Sequence, residues 1–191
     1  MLAHGAGAGM SHRHMQALAD AFEGVGIATL RFNFPFIREG RRRVDARPVV
    51  TGCIAQAMAS ATERSSSPVW LGGHSFGGRM ASHAVLDAGL APAGLIFCSF
   101  PLHPASKPAT ARAEHLASLG QPMLFLSGTR DALAEPSRLE RVVAKLDRAE
   151  LHWLDTADHG YRILKRTRSS NEGIYAEAAR VAREFIDRQA L

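Results

Sequence analysis

The chain has 191 residues, 46% of them hydrophobic and 21% charged, with a formal net charge of +5. That length and balance suit one soluble globular domain that buries its core without covalent staples. They leave no room for a membrane helix, because no apolar run approaches the roughly 20 residues one needs. The two cysteines, Cys53 and Cys98, lie in unrelated apolar contexts without CxxC spacing and read as buried thiols, neither a zinc site nor a disulfide framework. No signal peptide is visible after Met1, so a cytoplasmic protein is expected. Part of the positive charge is local: Arg38, Arg41, Arg42 and Arg43 crowd one glycine-containing stretch. It reads as a solvated basic loop. The rival reading, a surface for nucleic acid or an acidic substrate, lacks a recognition helix or stacking aromatics.

In chain order, Leu2-Ala3 is too short for a strand, yet His4–Gly9 (HGAGAG) has the look of a loop that follows one. Either the chain begins inside an element or its true start lies upstream. Residues 12–23 place Met15, Leu18, Ala19 and Phe22 on one helical face. Residues 26–32 (GIATLRF) read as a strand. A second helix over 49–62 repeats Val50, Ile54, Ala57, Met58 and Ala61. The SSSP loop at 65–68 leads to a strand at 69–72, and a helix follows at 78–86. A strand at 93–98 (AGLIFC) runs into residues 100–110, whose three prolines mark an irregular surface excursion. The remaining elements are a strand at 123–127, a helix at 137–146, a strand at 150–154 and a helix at 173–189. Strands alternating with helices predict an α/β fold: an open, mostly parallel sheet of about six strands with right-handed crossovers and helices on both faces. Ligands in such sheets sit beyond the carboxyl ends of the strands.

At one of those ends the chain reads Gly73-His74-Ser75-Phe76-Gly77, a G-x-S-x-G pattern between a strand and a helix. A sharp turn there strains its central residue and needs small neighbours, and it holds a serine hydroxyl above the sheet edge. Serine is a weak nucleophile without a base, and the base needs an orienting carboxylate. After the next-to-last strand comes Asp131, and after the last comes His159, in the chain order Ser, Asp, His. Asp131 is the candidate acid and His159 the candidate base. Alone, Asp131 is a turn aspartate and His159 an exposed loop histidine; together with Ser75 they make a constellation. Asp155 and Asp158 are too close in sequence to reach the far nitrogen of His159, and Asp158 is expected to fix the loop. His74 points off the wrong side of the turn, and His152 lies within a strand as a structural residue. Two amides are expected to hold an oxyanion: that of Phe76 and that of Ala6 in the HGAGAG loop. The same loop lacks the third glycine of a dinucleotide fingerprint and any P-loop lysine, so nucleotide binding is not expected.

Taken together these residues resemble the α/β-hydrolase fold, and most closely its small lidless branch of dienelactone-hydrolase-like and testis-expressed-30-like hydrolases. The resemblance lies in LAHGAGAGM at 2–10, RFNFPF at 31–36, RRRVDARP at 41–48, GGHSFGGRMAS at 72–82, FPLHP at 100–104, RAEHL at 112–116, GTRD at 128–131 and DHGY at 158–161. It implies Ser75, Asp131 and His159 as a triad, with Ala6 and Phe76 as the oxyanion hole. The chain departs from that pattern in its His74-Ser75-Phe76 elbow, where relatives often carry Lys-Ser-Met, and in lacking the residues with which their sheet begins.

The matched segments are expected to line the substrate pocket through His4, Gly5, Asn33, Phe34, Phe36, Phe100, Leu102 and His103. Arg79 is expected in a structural ion pair, and Arg112, Glu114 and His115 to tie down the FPLHP loop. The expected activity is hydrolysis of a small carboxylic ester or thioester, with neither metal nor organic cofactor. The expected partner is the small acyl substrate alone, without nucleic acid or membrane, on a monomer or weak homodimer. The alternative is a non-catalytic binding or scaffold module that retains the fold.

Overall fold

A computed structural model describes residues 1–190. Its centre is a parallel four-stranded sheet in sequential order: β1 (Trp70–His74), β2 (Gly94–Cys98), β3 (Met123–Gly128) and β4 (Ala149–Leu154). The helices are α1 (Arg13–Gly24), α2 (Pro35–Arg38), α3 (Arg47–Arg64), α4 (Phe76–Asp87), α5 (Pro136–Val143) and α6 (Ile174–Gln189), with a 3₁₀ helix over Ala111–Ser118. β2 and β3 are buried along their whole length, as strands covered on both faces must be. Side chains alternate across a strand, so each central strand feeds two cores. Leu95, Phe97, Met123 and Phe125 join α3, α4 and α5 on one face. Ile96, Cys98, Leu124 and Leu126 join α1 and α6 on the other. No helix among the described residues is long and apolar enough to cross a membrane.

The sheet has four strands where about six were expected. Residues 27–34 form no regular ladder, although Leu2 donates its amide to Leu30 O at 2.9 Å. Ala3 makes only an isolated parallel bridge to Gly73. Two rudimentary positions therefore continue the sheet past β1. A ladder needs several consecutive paired residues, and here Leu2 reaches Leu30 and Ala3 reaches Gly73 at one position each.

Glycines close the sheet edge where the chain turns. A Cβ on Gly77 would lie 2.5 Å from the carbonyl oxygens of both Ala3 and His4. One on Gly73 would run into Ala3 O, and one on Gly128 into Ala157 O. These are backbone atoms and cannot rotate away. Gly77→Ala is expected to cost about 3 kcal/mol through overpacking and to lower the melting temperature by about 6–12 °C in a thermal unfolding scan. A variant melting within about 2 °C of wild type would sink that account.

Candidate active site

Ser75 follows β1 and caps α4 with φ 53° and ψ −117°, a conformation that non-glycine residues seldom adopt. Its amide donates to Cys98 O at 2.9 Å, fastening the turn to β2. Further non-glycine residues with positive φ follow the ends of β2 and β4: Ser99 (58°), Thr156 (58°) and Tyr161 (63°). Strain thus gathers along the carboxyl edge of the sheet, where loops must leave abruptly.

Three side chains meet at that edge. Ser75 Oγ lies 2.8 Å from His159 Nε2. His159 Nδ1 lies 2.8 Å from Asp131 Oδ2. The carboxylate can only accept, so His159 carries its proton on Nδ1 and leaves Nε2 free to accept from the serine. Asp131 Oδ1 accepts the amide of Leu133 at 2.8 Å, which fixes the carboxylate plane. The Asp131 side chain is fully buried, whereas that of His159 keeps 24% of its surface exposed. The acid is therefore screened from water, and the serine–histidine end reaches solvent.

The competing residues are occupied elsewhere. Asp155 Oδ2 accepts from the amide and hydroxyl of Ser169, at 2.8 and 2.9 Å. Asp158 Oδ1 accepts from the amides of Gly160 and Arg162, which closes the loop bearing His159. His152 Nε2 pairs with Glu177 at 2.8 Å. His74 is not a bystander: its Nε2–H donates to His159 O at 2.9 Å. Burial pushes its pKa down to about 4, so it stays neutral, with its ring against His14 at 4.3 Å. Nothing in the spacing of the sequence signals this bond, because its partner is a main-chain carbonyl 85 residues away.

His4, Gly5 and Ala6 bring the first loop to the same edge. His4 Nδ1–H donates to Gly5 O at 2.7 Å, and its Nε2 accepts the amide of Phe34 at 3.1 Å. Ala6 is exposed at the loop tip. Among the described residues no acceptor takes the amide of Ala6 or of Phe76, and the latter opens α4, where N–H groups lack helical partners.

The expected pocket lining is corrected. Phe34, Phe36, Phe100 and Leu102 have no exposed surface and belong to the core under α4. The rings of Phe34 and Phe36 meet that of Phe76 edge-on at 5.8 and 6.2 Å. An aromatic side chain gains most when its whole surface leaves water, so the apolar motifs that follow strand ends are drawn inward. His4 is likewise fully buried, and His103 is 3% exposed with its amide on Leu133 O. Of the eight residues, Gly5 and Asn33 keep partial exposure. Asn33 Oδ1 accepts the amide of Met10 and so braces the loop. A cavity of about 510 Å³ lined by Gln16, Asp20, Thr29 and Arg31 lies away from the three side chains.

Arg79 also departs from expectation, since its guanidinium meets no carboxylate and its buried Nε has no acceptor. His115 does tie its segment down, through Ser82 Oγ at 2.8 Å.

The fold recurs in solved structures. The chain aligns with dienelactone hydrolase from Anabaena variabilis at a TM-score of 0.73 and 18% identity, covering 98% of this chain and 84% of that one. Est1E from Butyrivibrio proteoclasticus with ferulic acid bound gives 0.73 at 15% identity, over 99% and 88% of the two chains. An alpha-beta serine hydrolase homologue from Coxiella burnetii gives 0.65 at 21% identity, over 97% and 79%. At such identities the likeness establishes the architecture. A family match described as an alpha/beta hydrolase domain spans residues 1–187, and with it the whole of the sheet edge described above: the chain belongs to the alpha/beta hydrolase family.

Proposed function

We propose that the protein is a serine hydrolase that cleaves small carboxylic esters or thioesters through an acyl-enzyme. The observation that carries this reading is the unbroken hydrogen-bonded series Ser75–His159–Asp131 at the carboxyl edge of the sheet. Ser75 Oγ attacks the acyl carbon while His159 Nε2 takes its proton. Asp131 holds the Nδ1–H tautomer and offsets the imidazolium charge. The free amides of Ala6 and Phe76 are the donors for the oxyanion. His159 then returns the proton to the leaving alcohol or thiol, and water, deprotonated by the same nitrogen, releases the acid.

The test is labelling by a fluorophosphonate, which needs an activated serine, beside hydrolysis of p-nitrophenyl esters from acetate to decanoate. Labelling at Ser75 with turnover supports the reading. An unlabelled, inert and folded protein moves the assignment to a binding module.

Within this mechanism His74 is a positioning residue, since its Nε2–H fixes the carbonyl of the general base. His74→Phe keeps an aromatic ring and removes the donor. It is expected to lower kcat about 10-fold with KM nearly unchanged, the effect of one lost hydrogen bond expressed in the transition state. An unchanged kcat would remove His74 from the machinery.

A further inference from the structure

At the junction of α3, α4 and the 3₁₀ helix stand three arginines, Arg47, Arg79 and Arg112, of which Arg47 is paired with the carboxylate of Asp87. Arg47 grips that carboxylate with two guanidinium nitrogens. Arg79 and Arg112 are left half-buried with no acidic partner among the described residues. Arg79 lies one helical turn beyond Ser75, to whose carbonyl its amide donates at 3.1 Å. Its guanidinium carbon lies 6.0 Å from the centre of the Phe76 ring. The two elements that carry the arginines are locked together three residues further on. Ser82 Oγ bonds His115 Nε2, and the rings of His83 and His115 stack at 3.7 Å. Arg79 and Arg112 each precede that clasp by three residues, so the clasp holds together the two segments that bear them. The pKa of Arg79 is lowered by burial first and by the charge of Arg112 next. Burial and the arginines also push His83 and His115 down to about 4, so the histidines add no charge of their own near neutrality. A half-buried guanidinium with an orphaned Nε–H is costly unless an acceptor arrives.

We propose that Arg79 and Arg112 form an anion subsite beside Ser75, which selects esters or thioesters carrying a carboxylate or phosphate group. The subsite rests on the reading of Ser75 as the nucleophile. An oxyanion there would take terminal N–H groups of the two guanidiniums, the fork that suits carboxylate and phosphate. The charge can sit on the acyl part or on the leaving group, and two substrate pairs separate these sources. Mono-p-nitrophenyl adipate is compared with p-nitrophenyl hexanoate, and 4-carboxyphenyl butyrate with 4-carbamoylphenyl butyrate.

The wild-type protein is expected to prefer the charged member of one pair in kcat/KM, and that pair locates the anion. The preference should shrink with added salt. Arg79→Gln and Arg112→Gln are each expected to reduce the charged-to-neutral ratio about 10- to 100-fold. Arg79→Lys, which keeps the charge and loses the fork, should fall between. Should Arg79→Gln fail to fold in a thermal scan, Arg112→Gln on the surface-facing 3₁₀ helix carries the test. Equal rates within both pairs, or ratios that neither glutamine variant moves, overturn the subsite. Fluorophosphonate labelling of the wild type separates the two failures: a labelled serine without anion preference rejects the subsite alone, and an unlabelled one rejects the Ser75 reading and the subsite with it.

Discussion

Ser75→Ala is expected to lower kcat/KM for p-nitrophenyl esters by roughly 10⁴- to 10⁶-fold and to abolish fluorophosphonate labelling. The side chain loses only its hydroxyl, whose hydrogen bond is to His159. The positive φ at this position is imposed by β1, by the amide bond to Cys98 O and by the first turn of α4, none of which involves that hydroxyl. The fold should therefore survive, and the melting curve should overlay that of wild type within a few degrees. The effect should also be non-additive. Once the nucleophile is gone the base has nothing to activate, so Ser75→Ala/His159→Ala should be no slower than Ser75→Ala alone. A serine variant that keeps more than about a tenth of the wild-type rate would end the nucleophile assignment.

Asp131→Asn is the second large effect, and the structure says why so small a change should matter. Asp131 Oδ1 already accepts the Leu133 amide, and Oδ2 faces His159 Nδ1. An asparagine must keep its carbonyl oxygen on the Leu133 N–H, or leave two donors facing each other. Its NH₂ then points at His159. Imidazole answers by accepting at Nδ1, which moves its proton to Nε2, the nitrogen that faces Ser75 Oγ. A base that already carries its proton cannot take the serine's. The expected loss is about 10³- to 10⁴-fold in kcat with little change in KM. Direct NMR observation of the imidazole N–H would report the proton on Nε2 in place of Nδ1. Full activity in the variant would mean that Asp131 only shapes the loop.

Much of this was legible in the chain. Elements with clean periodicity kept their places: 12–23 became Arg13–Gly24, and 123–127 became Met123–Gly128. The order Ser75, Asp131, His159 was readable because strand ends in an alternating fold all face one edge, so the residues just after them converge. What could not be read depended on partners remote in sequence. GIATLRF has the composition of a strand, yet no long neighbour lies beside it, only Leu2-Ala3. Phe100 sits after a strand end just as Ser75 does, and Phe34 and Phe36 after an expected one, but apolar rings turn inward while a hydroxyl stays at the edge. Arg79, one turn into the helix after Ser75, was expected in a structural ion pair, and its isolation is visible only once Asp87 is seen on Arg47.

The glycine contacts at Gly73, Gly77 and Gly128 have a consequence for how the protein tolerates change. The loop of Ala6 rests on α4, and the loop of Asp131 rests on that of His159, through main-chain atoms in direct touch. Main chain is common to every amino acid, so these spacings do not depend on which side chains fill the two cores. A repacked or evolutionarily drifted interior can lose stability while the spacing between these loops stays the same. The vulnerable sites are few and known in advance: three glycines whose replacement by any other residue would wedge the loops apart.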